Sequence, residues 1–299
     1  VSETRYPPDR LLAEAASLFN LLGGIAPKHL VIVGGLVPSL LVSEPRVPHR
    51  GSGDLDLSLS VAITKGQTAQ YYKSLEMAID PYFEPAESGF RWRKRKGVEG
   101  IPLLVDFLGP EVEATQIADG TLALEDETAA ANIGTRLRPY PISAGCLVDL
   151  DAEAKVIKKV SLIYSPGVRA DVRIRHAGPL GFLASKAEAL ETRSEAKDGY
   201  DVSWWCLEAG KTAEAVADQV SERPAFADPD FLDSLAMLRS AFGEPDYLGP
   251  TGYARELHDV AEPGSDEFDR TRNEAFAVVL PVLELLLERA FKAAGTDPA

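Results

Sequence analysis

The chain has 299 residues, 45% of them hydrophobic and 26% charged, a globular composition long enough for one large or two ordinary domains. Lys and Arg number 31 against 46 Asp and Glu, a formal net charge of −15. That balance excludes a protein coated in positive charge that binds nucleic acid indiscriminately, while leaving room for a local basic groove. Cys146 and Cys206, and the histidines His29, His49, His176 and His258, are scattered without metal-ligand spacing. A disulfide framework, a Cys-rich zinc module and a His-based metal box are thereby excluded.

The stretch Val1–Leu22 mixes acids and bases and does not read as a signal peptide. Leu11, Leu12, Ala15, Leu18, Phe19 and Leu22 fall at helical spacing, so an amphipathic helix is expected over 9–22. Residues 29–33 form a β-branched run ended by Gly34-Gly35, a buried strand and tight turn, with a short helix expected over 37–42. After a loop over 46–53, Asp54-Leu-Asp-Leu-Ser-Leu-Ser-Val61 alternates strictly and predicts a strand. A helix over 67–79 and a hairpin of strands 90–94 and 101–108, joined at Gly97-Val-Glu-Gly100, follow.

Past residue 110 the pattern weakens, with short strands expected over 145–148 and 171–174. Helical periodicity then dominates over 180–192, 198–208, 212–221, 231–242 and 269–293. The apolar runs Leu30–Val42 and Ala275–Phe291 are interrupted by Gly, Pro or Glu, short of the roughly 20 apolar residues a bilayer demands. A cytoplasmic protein with no membrane partner is expected. The fold class is α/β: a mixed sheet flanked by helices over 1–175, followed by an α-helical region over 176–299 that contributes to an active-site cleft.

Asp54 and Asp56 lie two apart on a predicted strand, so both carboxylates leave one face while Leu55, Leu57 and Leu59 point into the core. Side by side they repel unless a cation joins them, and hard divalent ions take such oxygen ligands. Asp106, within Leu103-Leu-Val-Asp-Phe-Leu108, is a third acid on an apolar strand, costly without a partner or metal. An isolated Asp-x-Asp also suits a plain solvent-facing row. Gly34 and Gly35 let backbone N–H groups approach a phosphate, and Ser52 offers a hydroxyl beside the acid pair. Arg91-Trp-Arg-Lys-Arg-Lys96 gathers Arg91, Arg93, Lys94, Arg95 and Lys96, a candidate nucleic-acid patch or a charged edge strand. Lys155, Lys158, Lys159, Arg169, Arg173 and Arg175 would extend it if the strands set them on one side.

The order of strand, Gly-Gly turn, helix, Asp-x-Asp strand and a hairpin bearing one Asp resembles the nucleotidyltransferase superfamily. Leu183-Ala-Ser-Lys-Ala-Glu-Ala-Leu190, then Arg193 and Lys197-Asp-Gly-Tyr-Asp201, resembles the Lys-x-x-Ala-Leu-x-x-Arg and Arg-Asp-x-Tyr-Asp pattern of the abortive-infection AbiEii nucleotidyltransferase toxins, a family that includes the MenT-type toxins. Leu36 departs from the Ser or Thr common after the glycine pair, and the gap from Gly35 to Asp54 is long. The resemblance implies metal binding and catalysis by Asp54 and Asp56, Mg²⁺ (or Mn²⁺) as cofactor, and an NTP substrate. It further implies Lys186 near the nucleotide phosphates, Asp198 as activator of the acceptor hydroxyl, and Asp106 as a third ligand. The expected reaction moves NMP to an RNA acceptor, the tRNA 3′ end, under control of a cognate antitoxin protein. A small-molecule acceptor of the aminoglycoside kind, or a non-catalytic nucleotide-binding protein, are the alternatives.

Overall fold

The computed structural model of the chain describes residues 4–24, 26–59, 67–86, 89–110, 135–257 and 263–295. His258 and the last two positions of the expected strand over 54–61 lie outside them. The chain divides into two compact units, Val1–Leu36 with Arg50–Ala177, and Val37–His49 with Gly178–Ala299.

The first unit is built on one mixed sheet. Its strands are β1 (Leu30–Val33), β2 (Asp54–Leu59), β3 (Phe83–Pro85), β4 (Arg91–Lys94), β5 (Leu104–Pro110), β6 (Tyr140–Ile142), β7 (Glu153–Ser161) and β8 (Arg169–His176). They run in the order β3-β4-β5-β2-β1-β8-β7, with β6 added against the end of β5. β2 pairs antiparallel with β1 and parallel with β5, while β1 pairs parallel with β8. The middle of such a sheet is covered, and β1 is buried at every position. Leu55, Leu57 and Leu59 of β2 are fully buried, as their alternation predicts, and each contributes about 1.5–3 kcal/mol by leaving water.

The expected hairpin forms as the antiparallel pair β4–β5. The opening helix, Pro8–Leu21, starts on a proline whose missing N–H costs nothing in the first turn. It buries Leu11, Ala15, Leu18 and Phe19, together with one acid, Glu14. Glu14 accepts from Lys94 Nζ, from the Tyr164 hydroxyl at 2.7 Å and from the Ile101 amide at 2.9 Å, which ties this helix to the hairpin.

Residues 145–148, expected as a strand, instead begin a helix, Gly145–Leu150. Four apolar or small residues fit either period, and only packing decides. Here Gly145 lies against Pro110, where a Cβ would sit 2.4 Å from the proline Cα. Strands β3, β6 and β7 have no counterpart in the sequence reading, and β8 extends well beyond 171–174.

The second unit is helical, with Val37–Leu41, Pro179–Thr192, Ala196–Ala209, Ala213–Ser221, Pro229–Phe242, Leu248–Leu257 and Asp266–Ala294. Thr212, Asp228 and Ser265 cap three of these by accepting from backbone N–H groups, and Gly295 closes the last in the left-handed region. Ala196–Ala209 and Leu248–Leu257 meet backbone to backbone: a Cβ on Gly199 would lie 2.6 Å from the Gly249 carbonyl oxygen. Tyr200 and Tyr253 stack beside that contact with ring centroids 5.7 Å apart. The segment 37–49 is held in this unit by its own bonds. Trp204 Nε1 donates to the Val47 carbonyl at 2.9 Å, and the Arg46 amide donates to Glu208 at 2.6 Å. Among the described residues no helix is long and apolar enough to cross a membrane.

Candidate metal centre

Strand register assembles the acids. Arg91 of β4 pairs with Asp106 of β5, Asp106 pairs with Asp56 of β2, and Asp56 pairs with Val33 of β1. Residues in register across neighbouring strands share a face, so one row runs Arg91, Asp106, Asp56 across the sheet. Asp54, two residues before Asp56, joins it on the same face. One oxygen from each of Asp54, Asp56 and Asp106 lies within 4.8 Å of the others. Asp54 and Asp106 are buried and Asp56 is half-buried.

Like charges in direct cross-strand contact destabilise a sheet. Arg91 offsets part of that cost through a bidentate grip on Asp106, Nε to Oδ1 at 2.8 Å and Nη2 to Oδ2 at 2.6 Å. The hydrogen-bonded Asp106 carboxylate, with the charges of Asp54 and Asp56 behind it, raises the Arg91 pKa against the opposing effect of burial. Ser52 donates its hydroxyl to Asp54 Oδ1 at 2.8 Å, leaving the other Asp54 oxygen for a second partner.

The glycine turn abuts this group. Gly34 has φ +70°, and a Cβ there would stand 1.9 Å from Asp56 Oδ2, so both backbone and space demand glycine. Gly34–Leu36 form a single 3₁₀ turn in which Gly35 is buried. Three carboxylates and one guanidinium carry a net charge of −2, which one divalent cation balances. Oxygen-only donors gathered this closely fit a hard ion such as Mg²⁺ or Mn²⁺ better than a thiophilic one.

The basic run 91–96 does not form one surface, contrary to the expected patch. Alternation along β4 sends Trp92 and Lys94 inward and Arg91 and Arg93 to the other face. Lys94 is 5% exposed and paired with Glu14, and burial lowers its pKa against the pull of that carboxylate. Arg95 pairs with Glu84 at 3.0 Å and Asp80 at 3.3 Å, and Arg91 belongs to the acid row. Arg93 and Lys96 remain exposed.

The second unit holds its own buried charge cluster. Lys186 Nζ meets Asp198 Oδ1 at 2.7 Å and Asp201 Oδ2 at 2.5 Å. His49 Nε2 lies 3.0 Å from Asp201 Oδ1, and Arg193 reaches Asp198 at 3.2 Å. Burial by itself would lower the Lys186 pKa, but the two carboxylates outweigh it and hold the ammonium charged. Burial likewise would raise Asp201, yet Lys186 and His49 bring it below the usual carboxylate range. Helical spacing predicts none of the link to His49, which is 152 residues from its partner. Arg91 was legible only as part of a charge run; the signal for its true place is that a strand Arg faces a strand Asp once β4 and β5 pair.

Cys206 is buried, which pushes its thiol up to about 12, and it lines a cavity of about 770 Å³ in the helical unit with Arg46, Lys211 and Glu274. Cys146 is exposed.

No family model matches the chain, and no curated protein matches it. Among solved structures it is similar to an antigenic nucleotidyltransferase-like protein from Paracoccidioides brasiliensis, 15% identical, with a TM-score of 0.44 over 81% of this chain and 92% of that one. It is also similar to JHP933 from Helicobacter pylori, 13% identical, with a TM-score of 0.35 over 96% and 94%.

Proposed function

We propose that the protein is a metal-dependent nucleotidyltransferase. The observation that carries this reading is the set of Asp54, Asp56 and Asp106 oxygens within 4.8 Å of one another on adjacent strands, directly against the Gly34 turn. When bound there, a divalent ion supplies charge neutralisation to a triphosphate and its departing pyrophosphate.

The chain's own residues prepare that site. Asp54 is oriented by Ser52, and Asp106 by Arg91, so two of the three ligands are fixed before any ion arrives. Gly34 keeps side-chain bulk away from Asp56, and in this reading the turn it opens would offer backbone N–H groups to phosphate oxygens. Lys186 as phosphate partner and Asp198 as activator of the acceptor hydroxyl remain part of this proposal through the sequence resemblance. Lys186 is paired with Asp198 and Asp201, and Asp198 also with Arg193, so either role requires these ion pairs to loosen.

The acceptor we propose is RNA, the tRNA 3′ end in particular, with an antitoxin protein as regulator. A cationic small molecule of the aminoglycoside kind is the second reading, favoured by the net charge of −15. Incubation with each labelled NTP and Mg²⁺, against total RNA or an aminoglycoside panel, separates the two. Label appearing on RNA with the native protein and not with Asp56→Ala supports the first; no transfer to any acceptor sinks both.

A further inference from the structure

Antiparallel pairing of β7 with β8 collects cations that are dispersed in sequence. Arg169, Arg173 and Arg175 are separated by even numbers, so they leave β8 on one face, opposite the inward Val172 and Ile174. Register pairs Arg175 with Ala154, Arg173 with Val156 and Arg169 with Ser161, all exposed on β7. Between Val156 and Ser161 a bulge carries Lys158 and Lys159, both exposed, with Lys159 at φ 54°. Arg169 and Arg173 are exposed and Arg175 is half-buried, held by Asp149 at 2.9 Å. One acid, Asp171, shares the face, and it accepts from the Lys159 amide at 2.8 Å. Arg169 to Arg175 covers roughly 20 Å at the rise of a strand.

Five cations against two acids, Asp171 on the face and Asp149 against Arg175, in a chain of net charge −15, mark a place that favours a polyanion. Of the run 91–96, Arg91, Lys94 and Arg95 are paired with Asp106, Glu14, Asp80 and Glu84, which leaves Arg93 and Lys96 exposed, whereas Lys158, Lys159, Arg169 and Arg173 of the β7–β8 face are all exposed. A bulge with adjacent lysines on an edge strand disfavours addition of a further strand. Guanidinium forks in a row suit phosphate oxygens. We infer that the outer face of the β7–β8 hairpin docks the phosphate backbone of RNA; naming RNA as the polyanion rests on the function proposed above.

The experiment measures binding of total tRNA to the full chain across a salt series, for the native protein and for the triple variant Lys158→Gln, Arg169→Gln, Arg173→Gln. Each phosphate contact removed lowers the steepness of log K against log[salt] by about 0.7–0.9, so the slope shrinks by about 2. Relative to 1 M salt that is roughly a 100-fold weaker complex at 0.1 M. Arg173→Glu alone serves as a second variant, and circular dichroism verifies that both fold. An unchanged slope and affinity in the variants overturns the inference, as does equal binding of polyglutamate, which would make the face a site for acidic protein. Calorimetry of an NTP with Mg²⁺ is run on the same proteins. Native protein that binds the nucleotide but no RNA refutes this face and leaves nucleotidyl transfer standing; loss of nucleotide binding in native protein refutes the latter separately.

Discussion

Replacing Gly34 by Ala bears directly on the link between the turn and the acids. Two costs can be worked out. At φ +70° an L side chain pays about 1–2 kcal/mol of backbone strain. The new Cβ also stands 1.9 Å from Asp56 Oδ2 and 2.8 Å from Asp56 Cγ, where ordinary contact begins near 3.5 Å, so the carboxylate must swing away by well over an ångström. A side-chain tip can make that movement, so the fold survives while the ligand set does not. Urea unfolding should show a loss of about 1–3 kcal/mol, and calorimetric titration with Mn²⁺ should show affinity reduced tenfold or more. Gly97→Ala provides the control. It shares a positive φ of 89° but meets nothing within 4 Å, so it should lose stability alone and bind Mn²⁺ normally. Equal Mn²⁺ affinity in native protein and Gly34→Ala would refute the reasoning, because Asp56 would then hold no metal.

Asp56→Asn removes a like charge set directly opposite Asp106, so without metal its stability should equal or exceed the native by up to about 1 kcal/mol, while the gain in melting temperature on adding Mg²⁺ disappears. Lys186→Met leaves Asp198 and Asp201 buried without their shared ammonium, and chemical denaturation should register a loss of about 3–5 kcal/mol. The folded pKa of Asp201 lies below its unfolded value, so its stabilisation is present above about pH 4 and is lost as pH falls through the lower, folded pKa. Melting temperatures of Asp201→Asn followed between pH 5 and 2 should therefore fall less steeply than the native curve, from a lower plateau. Lys94→Met, with Glu14 left buried on the opening helix, should also cost about 3–5 kcal/mol while leaving tRNA affinity unchanged, and a filter-binding curve alongside the unfolding data checks both halves.

Periodicity alone determined the elements whose burial is repetitive. The alternation of 54–59 fixed both the strand and the common face of Asp54 and Asp56, and the 3.6-residue pattern marked the helices around Lys186 and Asp198. These are local facts, set by the direction in which each Cβ leaves the backbone. Pairing between distant segments is not local. Whether Arg91 serves a nucleic-acid surface or grips Asp106 depends on the β4–β5 register, and Lys94 is spent on Glu14, 80 residues away. Strand β7 exposes Ala154 and Val156 and half-buries Glu153 and Lys155, which blurs its apolar rhythm, yet its antiparallel register with β8 is what turns five scattered cations into one face. His49 likewise reads as a stray ring until the segment 37–49 lies with the helices and meets Asp201. A sequence states which way a side chain points along its own element; which other charge it meets is a contact energy between segments far apart in the chain, and only the tertiary structure settles that.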